Sequence, residues 1–547
     1  MTDRTGSGAL AIDGRTLTRA AALAAIRGRD GSYARLHLDP AARSALARLR
    51  GRIEADWLRP GAPPVYGFHT GVGALKDRLV PAEAAGSFQL DYLRSHAVGV
   101  GPHLGIAEVR GTILLKANNL ARGNSGVRPA LVEALLEMLN LGVHPVIPSQ
   151  GSMGASGDLA PLAHMGLVLC GDADLVLDEE GRPAASARER GFRPITLAAK
   201  EAMALTNSAS VIHSIGLLAV ADAENLLKAA DIAAALSCEA MFAEPGAFDE
   251  RLQEARGFPG QIASAGNVRR LRQGSGRTDE AARRRYHKAR GGRGEPPPRV
   301  QDAYSLRCVP QVHGASHDAW RVAAGAVERE LNAATDNPLL FEEPDGSVTA
   351  ISGGNFHGQP LALPLDHLAL ALATVGNISE RRTFRLLNPS LSYGLPLNLV
   401  PGGAAYRTGL MIAQYTAAAL VSENKGLAWP SSADSIPASG GQEDHVSMGT
   451  ISARRTAAIV ENVTRILAIE ILCAAQGLLL SEAVLGAGSL PLGRGVAAAL
   501  DRLRREGIAP YEHEAVYAAE IERVAALVRA GAFVETVEKA IGGPLAI

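Results

Sequence analysis

Four windows rich in alanine and leucine constrain the fold of this chain more than any other feature. Apolar side chains recur at helical spacing in residues 211–240, with charged residues between them: Ile215, Leu218, Ala219, Leu226, Ala229 and Ala230. Similar windows cover residues 361–386, 409–427 and 449–484. Such runs predict long, weakly amphipathic helices that are buried against other helices, within one subunit or between subunits. We therefore predict a mainly α fold with a bundle of long antiparallel helices, and an obligate oligomer.

The first 150 residues differ from these windows because glycine and proline interrupt shorter elements, as in RPGAPPVYGFHTGVG at 59–73. We predict a smaller N-terminal α(+β) region over residues 1–210, which carries loops of an active site, and a helical region over residues 211–547. Segment 268–299 is rich in arginine and closes with three prolines, which predicts an exposed, mobile loop. RNA binding by this segment is the weaker interpretation, because it lacks interleaved aromatic residues and any nucleic-acid motif.

Charge balance and cysteine spacing indicate which binding partners and which cellular compartment to expect. The 547 residues include 55 basic and 56 acidic ones, so no global field attracts nucleic acid or an anionic membrane. Four cysteines lie far apart without metal-type spacing, which is typical of reduced thiols in the cytosol. The N-terminal residues do not resemble a signal peptide, and no uncharged apolar run reaches the roughly 18 residues of a membrane helix. We expect a cytoplasmic protein without nucleic-acid or membrane partners.

Motifs for common cofactors do not occur in the sequence, which contains no HExxH, no P-loop and no GxGxxG after a strand. Ser156 is not in a nucleophile elbow, because Asp158 rather than glycine follows two residues later. What remains is Ala155-Ser156-Gly157. In a tight bend the Gly157 amide nitrogen can approach the Ala155 carbonyl carbon, since glycine lacks an obstructing Cβ. Loss of one water would close a five-membered ring, and a second loss would turn Ser156 into an exocyclic methylidene. An ordinary turn is the alternative.

Ordered motifs along nearly the whole chain bear on this choice. They are YGFHTGVG at 66–73, RSHAVGVG at 94–101, GSMGASGDLAPLAH at 151–164, ALTNSAS around Asn207, VQDAYSLRCVPQVHG at 300–314, TDNPLLF at 335–341, SGGNFHGQP at 352–360 and SADSIPASGGQEDHVSMGT at 432–450. In this order they resemble the aromatic amino acid ammonia-lyase and aminomutase family, and within it the histidine ammonia-lyases. The resemblance implies a fumarase/aspartase-like superhelical core and a homotetramer whose active sites are shared between subunits.

The resemblance also implies a prosthetic group made from the chain itself. In the family this tripeptide cyclises to 4-methylidene-imidazol-5-one (MIO), which carries over to Ala155, Ser156 and Gly157 and requires no external cofactor and no metal. The electrophilic methylidene helps the substrate amine to leave. Tyr66 matches the base that removes the β-proton. Since a tyrosine ordinarily has a pKa of about 10, the site must favour the phenolate through a nearby cation or aimed amides.

Other matches concern the substrate's amino acid end. Arg307 matches the cation that binds the substrate carboxylate, because its guanidinium can form two parallel hydrogen bonds. Asn207, Gln301 and Tyr304 match residues around the cofactor and the amino acid end, and Asn207 could hydrogen-bond the imidazolone oxygen. Phe356 matches the aromatic residue beside the ring, where packing alone is an alternative role.

The far end of the pocket bears on the choice of substrate. Ser95, His96 and Glu443 follow the histidine pattern of the family, and an imidazole has N–H groups that a carboxylate can accept. We predict elimination of ammonia from L-histidine to give urocanate. The alternatives are ammonia loss from tyrosine or phenylalanine and 2,3-aminomutation of tyrosine, since His96 could bond a phenol oxygen and an aminomutase uses the same residues. The intact catalytic residues disfavour a non-enzymatic scaffold.

Several positions depart from the histidine enzymes. His69 and Val72 stand where Asn and Phe are usual, Tyr406-Arg407-Thr408 stands where Asn-Ser-Gly is more familiar, and Gly441 replaces Asn. These departures bear on the substrate more than on the reaction class. We interpret His69 as a residue behind Tyr66, with direct tuning of the base as the alternative.

Overall fold

The computed structural model describes residues 9–28, 32–59, 61–296, 299–403, 406–486, 488–508 and 511–547. Helices account for 58% of the residues, so the predicted mainly α fold is confirmed. The α-helices are α1 (Arg19–Arg27), α2 (Pro40–Asp56), α3 (Ala85–His96), α4 (Ile106–Ala121), α5 (Pro129–Asn140), α6 (Leu159–Cys170), α7 (Glu201–Thr206), α8 (Ser210–Ala240), α9 (Glu250–Glu254), α10 (Pro259–Leu271), α11 (Glu280–Ala289), α12 (Tyr304–Arg307), α13 (Val309–Glu330), α14 (Gln359–Leu386), α15 (Met411–Leu427), α16 (Gly449–Leu485), α17 (Arg494–Arg505), α18 (Tyr517–Arg529) and α19 (Ala532–Ile541). Short 3-10 helices cover Gly73–Leu75, Ala82–Ala84, Pro245–Phe248, Leu397–Leu399, Pro401–Gly403 and Ser439–Gly441.

The strands are short and form two-stranded sheets. They are β1 (Leu10–Ile12), β2 (Leu36–Leu38), β3 (Val100–His103), β4 (Pro148–Gln150), β5 (Leu175–Leu177), β6 (Pro183–Ser186), β7 (Leu339–Glu342) and β8 (Val348–Ile351). β1 pairs with β2 in parallel, whereas the pairs β3–β4, β5–β6 and β7–β8 are antiparallel. Val100 pairs with Gln150. This pairing joins the segment that follows α3 to the segment that leads into the Ala-Ser-Gly tripeptide.

The four predicted long helices are α8, α14, α15 and α16, and each begins and ends within two residues of its predicted window. Their side chains explain why they form. In α16, for example, Ile459, Ile466, Leu467, Ile471 and Leu478 are fully buried at helical spacing. By length and composition α8, α14 and α16 could each cross a membrane, but 72%, 56% and 83% of their most apolar stretches are buried inside the protein. Their apolar character is therefore largely used by the protein core.

The chain divides into two compact units. The first contains the described residues up to Leu218 together with Ala324–Asp366 and Pro430–Arg454. The second contains the described residues of Ala219–Ala323, His367–Trp429 and Arg455–Ile547. Each unit thus combines segments that are distant in sequence. The boundary that we predict at residue 210 divides the chain by sequence alone and stays a prediction.

A buried cluster of polar side chains surrounds Glu470 inside the second unit. The carboxylate of Glu470 is fully buried and binds the guanidinium of Arg382 at 2.8 Å. It also accepts hydrogen bonds from the hydroxyls of Ser237 and Ser379, both at 2.6 Å. Such pairing offsets the desolvation of buried charges in a helical core.

Segment 268–299 is not one loop, and the expectation of an exposed loop across it is wrong. Helix α11 occupies Glu280–Ala289, and the Asp279 side chain caps it by accepting from the backbone N–H of Ala282 at 2.7 Å. Ala282 and Tyr286, spaced by four residues, are buried, and the Tyr286 ring stacks on Phe242 at 4.9 Å. This narrow apolar stripe, hidden among arginines, stabilises the helix. Residues 297–298 of the predicted loop lie outside the described residues.

Candidate active site

A cavity of about 500 Å³ lies beside the tripeptide in the first unit. Its wall contains residues from seven of the motifs that carry the family resemblance, although those motifs are far apart in sequence. The lining residues are Tyr66, Val72, Gly73, Ala74, Leu75, Lys76, Tyr92, His96, Ala155, Ser156, Leu159, Met203, Asn207, Asn337, Ser352, Phe356, His357, Ser439, Gln442, Glu443, Asp444 and His445. The structure therefore brings together many of the predicted site residues, and their roles stay predictions.

The tripeptide ends in a glycine that the local backbone requires. Gly157 has a φ of +82°, and a Cβ at this position would lie 2.3 Å from the carbonyl oxygen of Ser208. No side chain fits against backbone at that distance, so only glycine is compatible with this conformation. The next residue, Asp158, donates its backbone N–H to the same Ser208 oxygen at 2.8 Å. The turn is thus pressed against the segment that follows Asn207.

Asp158 anchors this turn through its fully buried carboxylate. One oxygen accepts from the hydroxyls of Ser152 and Thr450, at 2.8 and 2.7 Å. The other accepts from the backbone N–H groups of Val211 and Ile212, at 2.8 and 2.9 Å, in the first turn of α8. Burial raises the pKa of Asp158, and these four hydrogen bonds oppose that effect. A carboxylate at a helix N-terminus is also favoured by the helix dipole.

Glu443 contacts the tripeptide from a segment 287 residues further along the chain. Its carboxylate accepts a hydrogen bond from the Ser156 hydroxyl at 3.0 Å. A tight turn holds Glu443, because its backbone carbonyl accepts from Ala438 at 2.8 Å and its N–H donates to Ala438 at 3.2 Å. Gly440 and Gly441, with φ values of +62° and +87°, permit the chain reversal between them.

His96 ends α3 and lines the cavity with a defined tautomer. Its Nδ1 lies 2.8 Å from the Tyr92 carbonyl oxygen, which can only accept, so Nδ1 carries the proton. Its ring stacks on Tyr92 at 3.9 Å. Burial lowers the pKa of His96, and the nearby Glu443 charge opposes this effect. A neutral ring with Nδ1–H leaves Nε2 as an acceptor.

Ser95 does not line the cavity. Its hydroxyl donates to the Tyr92 carbonyl at 2.8 Å and lies 3.0 Å from Nδ1 of His96. It therefore supports the helix end that carries His96, and its predicted contact with substrate stays a prediction.

Tyr66 projects from a turn that precedes the first 3-10 helix. Gly67 in this turn has a φ of +76°, and a Cβ there would lie 2.0 Å from Cε of Met203. The Tyr66 phenol oxygen accepts from the Gly73 N–H at 3.4 Å. Burial raises the pKa of Tyr66, and the charges of Glu443 and Asp336 raise it further, whereas the Gly73 bond lowers it. Together these effects raise the pKa of Tyr66 in this chain alone, and stabilisation of the phenolate in the site stays a prediction.

The comparisons with known proteins agree with this architecture. Residues 17–505 match the aromatic amino acid lyase family. The chain belongs to this family. The lyase is 48% identical over 513 residues to the histidine ammonia-lyase of Symbiobacterium thermophilum, covering 94% of this chain and 96% of that protein.

Solved structures resemble the lyase over almost its whole length. The tyrosine aminomutase of Streptomyces globisporus matches with a TM-score of 0.87 and 35% identity, covering 98% of this chain and 100% of that one. The histidine ammonia-lyase of Trypanosoma cruzi matches with a TM-score of 0.84 and 38% identity, covering 97% and 95%. The predicted helical lyase fold and the predicted class, a carbon–nitrogen lyase that acts on an amino acid, are thereby confirmed.

Two buried lysines behind the cavity are absent from the predicted site. Lys200 binds the buried carboxylate of Asp336 through Nζ at 2.8 and 2.9 Å. Lys116 has no such partner among its hydrogen bonds, and its Nζ donates to the backbone carbonyl of Asn207 at 3.2 Å and to Oδ1 of Asn119 at 3.5 Å. Burial lowers the pKa of Lys116 to about 7. The sequence gives no distinct signal for Lys116, because α4 also contains Glu108, Arg110, Asn118 and Asn119.

Two histidines from the family motifs also line the cavity. The rings of His357 and His445 stack at 5.8 Å with an interplanar angle of 3°. Nδ1 of His357 accepts from the Gln359 N–H at 3.2 Å, so Nε2 carries the proton and lies 3.3 Å from the His445 carbonyl. Both lie in the quoted motifs. Their positions close to Phe356 and Glu443 in the sequence could have predicted that they line the cavity.

Asn207 and Phe356 line the cavity, whereas Gln301, Tyr304 and Arg307 do not. The last three lie in the second unit, where the Tyr304 side chain is 71% exposed and the Arg307 guanidinium lies 4.5 Å from its ring centre. Their predicted contacts with substrate stay predictions.

His69 supports the Tyr66 turn from outside the cavity. Its Nδ1 accepts from the Val65 N–H at 3.2 Å, and its Nε2 lies 3.0 Å from the Trp57 carbonyl oxygen. Because that carbonyl only accepts, Nε2 carries the proton. The ring thus joins the residue before Tyr66 to the end of α2. This geometry supports our interpretation of His69 as a residue behind the base.

Proposed function

We propose that the lyase eliminates ammonia from L-histidine to give urocanate. One observation carries the proposal: Glu443 and Nε2 of His96 place two hydrogen-bond acceptors in one cavity wall. The N–H of a neutral imidazole can donate to one of them, and a protonated imidazole can donate to both, whereas a phenyl ring offers no donor. The 48% identity to a histidine ammonia-lyase supports the same substrate.

Tyrosine is the second candidate substrate, for elimination or for 2,3-aminomutation. A phenol O–H can also donate to Nε2 of His96. The fold match to a tyrosine aminomutase, over 98% of this chain, favours this candidate. Phenylalanine has no group for either acceptor and ranks below both.

We propose that Ala155, Ser156 and Gly157 condense to MIO. The turn fits this group, because the packing of Gly157 on Ser208 excludes a Cβ and forces the bend that ring closure needs. Once formed, MIO supplies an electrophile that helps the substrate amine to leave. Asn207 and Phe356, in the same cavity wall, are the residues proposed to flank it.

Tyr66 is the proposed base, and its phenolate oxygen would take the β-proton of the substrate. Its pKa lies above the ordinary value of 10 in this chain, so the base needs further stabilisation of its charge. The Gly73 N–H provides one donor at 3.4 Å. A cation from another subunit would provide the rest.

We propose a cytoplasmic homotetramer in which another subunit completes each site. Gln301, Tyr304 and Arg307 would then reach the cavity of a neighbour, where Arg307 binds the substrate carboxylate. Two features of the second unit support association. Tyr304 is exposed, and α15 leaves apolar side chains uncovered, with Ile412 and Tyr415 54% and 59% exposed. Exposed apolar surface of this kind is typical of subunit contacts.

Turnover of three amino acids tests the proposed reaction. The purified lyase is mixed with L-histidine, L-tyrosine or L-phenylalanine, and the unsaturated acid is followed by its ultraviolet absorbance. Chromatography of the products for β-amino acids detects aminomutation. We expect urocanate from histidine as the fastest product. Absence of urocanate at any pH from about 7 to 10 would refute the histidine assignment.

The variant Glu443→Gln tests how the ring is recognised. It should lower kcat/KM for histidine by about 10- to 100-fold and for tyrosine by less, because the amide cannot match a carboxylate as an acceptor of imidazole N–H. Asp444→Asn, at the neighbouring cavity residue, is the matched control. Equal losses for the two substrates would mean that Glu443 does not distinguish the imidazole ring from the phenol ring.

A further inference from the structure

Glu443 makes a contact that recognition of a substrate does not require. Its Oε1 accepts the hydroxyl hydrogen of Ser156 at 3.0 Å. This hydroxyl exists only before the tripeptide is processed, because conversion of Ser156 to a methylidene removes Oγ. The contact therefore belongs to the precursor. We infer that Glu443 is the catalytic acid of self-processing, which carries a proton to the departing Ser156 hydroxyl; this inference rests on the proposed formation of MIO.

The chemistry of the second dehydration demands such an acid. A hydroxyl leaves readily only if it gains a proton as the carbon–oxygen bond breaks. The proton donor must lie within hydrogen-bond reach of that oxygen, at about 2.6 to 3.2 Å. Glu443 meets the distance condition as an acceptor, and once its partly buried carboxylate has taken up a proton from the cavity it can donate to the same oxygen.

Asp158 is the other carboxylate next to the tripeptide, and its hydrogen bonds exclude it from this role. Its oxygens already accept from two backbone N–H groups and two hydroxyls, one of them from Ser152. It is fully buried and fixed in the first turn of α8. Asp158 therefore holds the turn, whereas Glu443 contacts the reacting oxygen.

The two dehydrations balance without any further reagent. In the first, the Gly157 nitrogen bonds to the Ala155 carbonyl carbon, and the Ala155 oxygen leaves as water with the amide hydrogens of Ser156 and Gly157. A carbon–nitrogen double bond remains in the ring. In the second, the Cα–H and Cβ–Oγ bonds of Ser156 break and a Cα=Cβ double bond forms. Oγ leaves as water with a proton from Glu443, and the Cα proton restores Glu443.

The same carboxylate thus serves two successive purposes. In the precursor Glu443 faces the Ser156 hydroxyl, and after processing it becomes free to accept from a substrate ring. Its turn, closed by the two hydrogen bonds to Ala438, keeps it in place for both. A variant of Glu443 therefore changes the amount of processed protein as well as turnover, and the two effects are separated by measuring mass and rate on the same sample.

The test follows processing directly rather than activity. Wild type, Glu443→Gln, Glu443→Asp and Asp444→Asn are made by cell-free synthesis, and the mass of the Ser156 peptide is followed with time. Gln retains a hydrogen-bonding group but has no proton to relay, so loss of the second water should slow about 100-fold or more. A species that has lost only one water should accumulate. Asp444→Asn should process at the wild-type rate.

Three outcomes decide the inference. Slow second dehydration in Glu443→Gln, with faster dehydration in Glu443→Asp, supports it, because Asp keeps the carboxyl. Loss of both waters from Glu443→Gln at the wild-type rate overturns it and leaves the proposed lyase function intact. An unchanged mass in the wild type overturns the proposed MIO and this inference together. Circular dichroism on each sample confirms that the four chains are equally folded.

Discussion

Two turns line the same cavity, and they are held by different means. The tripeptide turn is closed from within: Gly157 lies against the Ser208 backbone, and the buried Asp158 accepts four hydrogen bonds. The Tyr66 turn is held from its edge by the His69 ring and ends in exposed residues, with Leu75 and Leu79 59% and 66% exposed. The tripeptide turn is packed along its length, whereas the Tyr66 turn runs from the buried Phe68 and Thr70 out to the surface.

The difference matches the chemistry that each turn is proposed to perform. Ring closure within a peptide requires backbone atoms to be compressed, which only a well-packed surrounding can maintain. Proton removal by Tyr66 requires a side chain to be placed near a bound substrate, which an open turn can do. Changes to the tripeptide turn should therefore affect processing and stability, whereas changes to the Tyr66 turn should affect turnover.

Gly157→Ala should give the largest effect. The new Cβ would meet the Ser208 backbone at 2.3 Å with a φ that side chains rarely adopt, so the turn must open and activity should fall more than about 1,000-fold. The mass of the Ser156 peptide and the rate of turnover measure the loss.

Gly191→Ala is the control, because Gly191 has nearly the same φ, +83°, with nothing within 4 Å of the new Cβ. It should lower the free energy of unfolding by about 1 kcal/mol and leave processing intact. Equal effects of both variants would show that backbone strain, not contact with Ser208, governs the turn.

Lys200→Met should give the next largest effect, on the side of the Tyr66 turn. Lys200 passes beneath Gly67, and its removal leaves the buried Asp336 carboxylate without its cation. The free energy of unfolding should fall by about 3 to 5 kcal/mol. Urea unfolding measures the change, and Asp336→Asn combined with Lys200→Met should recover part of it. No recovery would argue against the ion pair as the cause.

Lys116→Met should raise the free energy of unfolding instead of lowering it. Lys116 lies on the side of the tripeptide turn. The unfolded chain binds a proton at Lys116 below pH 10.5, whereas the folded chain binds it only below about 7. Wild-type stability should therefore rise with pH between these values and level off below pH 7. The gain in free energy of unfolding that Lys116→Met gives over wild type should be about 2 to 3 kcal/mol larger at pH 7 than at pH 9. An equal difference at both pH values in urea unfolding would contradict this.

His69→Ala should give the smallest effect. Without the ring the Val65 N–H and the Trp57 carbonyl lose their partner, and Tyr66 loses its fixed position. We expect kcat to fall about tenfold with KM nearly unchanged, because Tyr66 is proposed to act on a proton rather than in binding. His69→Asn, which can donate and accept, should restore most of kcat. A rise in KM instead would assign the turn to substrate binding.

The long helices could be predicted because the spacing of their apolar residues determines which helix face is buried. Ile459, Ile466 and Leu478 repeat along one face of α16, and burial of that face follows from the pattern. Helix α11 was missed for the same reason, since only Ala282 and Tyr286 mark its buried side among arginines.

The candidate site was predictable as a set of motifs but not as a set of contacts. The bond between Ser156 and Glu443 joins residues 287 positions apart, and no local pattern encodes such a distance. Lys116 is one of several polar residues in α4, and its contact with Asn207 from another segment forms only in the folded chain. The raised pKa of Tyr66 likewise comes from burial and from Asp336 and Glu443, which only the folded chain places nearby.

The contacts of the tripeptide turn with residues 447–450 determine when during synthesis the turn can form. The Ser447 hydroxyl donates to the Gly154 carbonyl at 2.9 Å, the Met448 N–H to the Met153 carbonyl at 2.8 Å and the Thr450 hydroxyl to Asp158 at 2.7 Å. A nascent chain still attached to the ribosome at residue 446 lacks all three. The turn therefore takes its final form only after most of the polypeptide has been made, and the proposed processing of the tripeptide would begin only after translation and folding have passed that point.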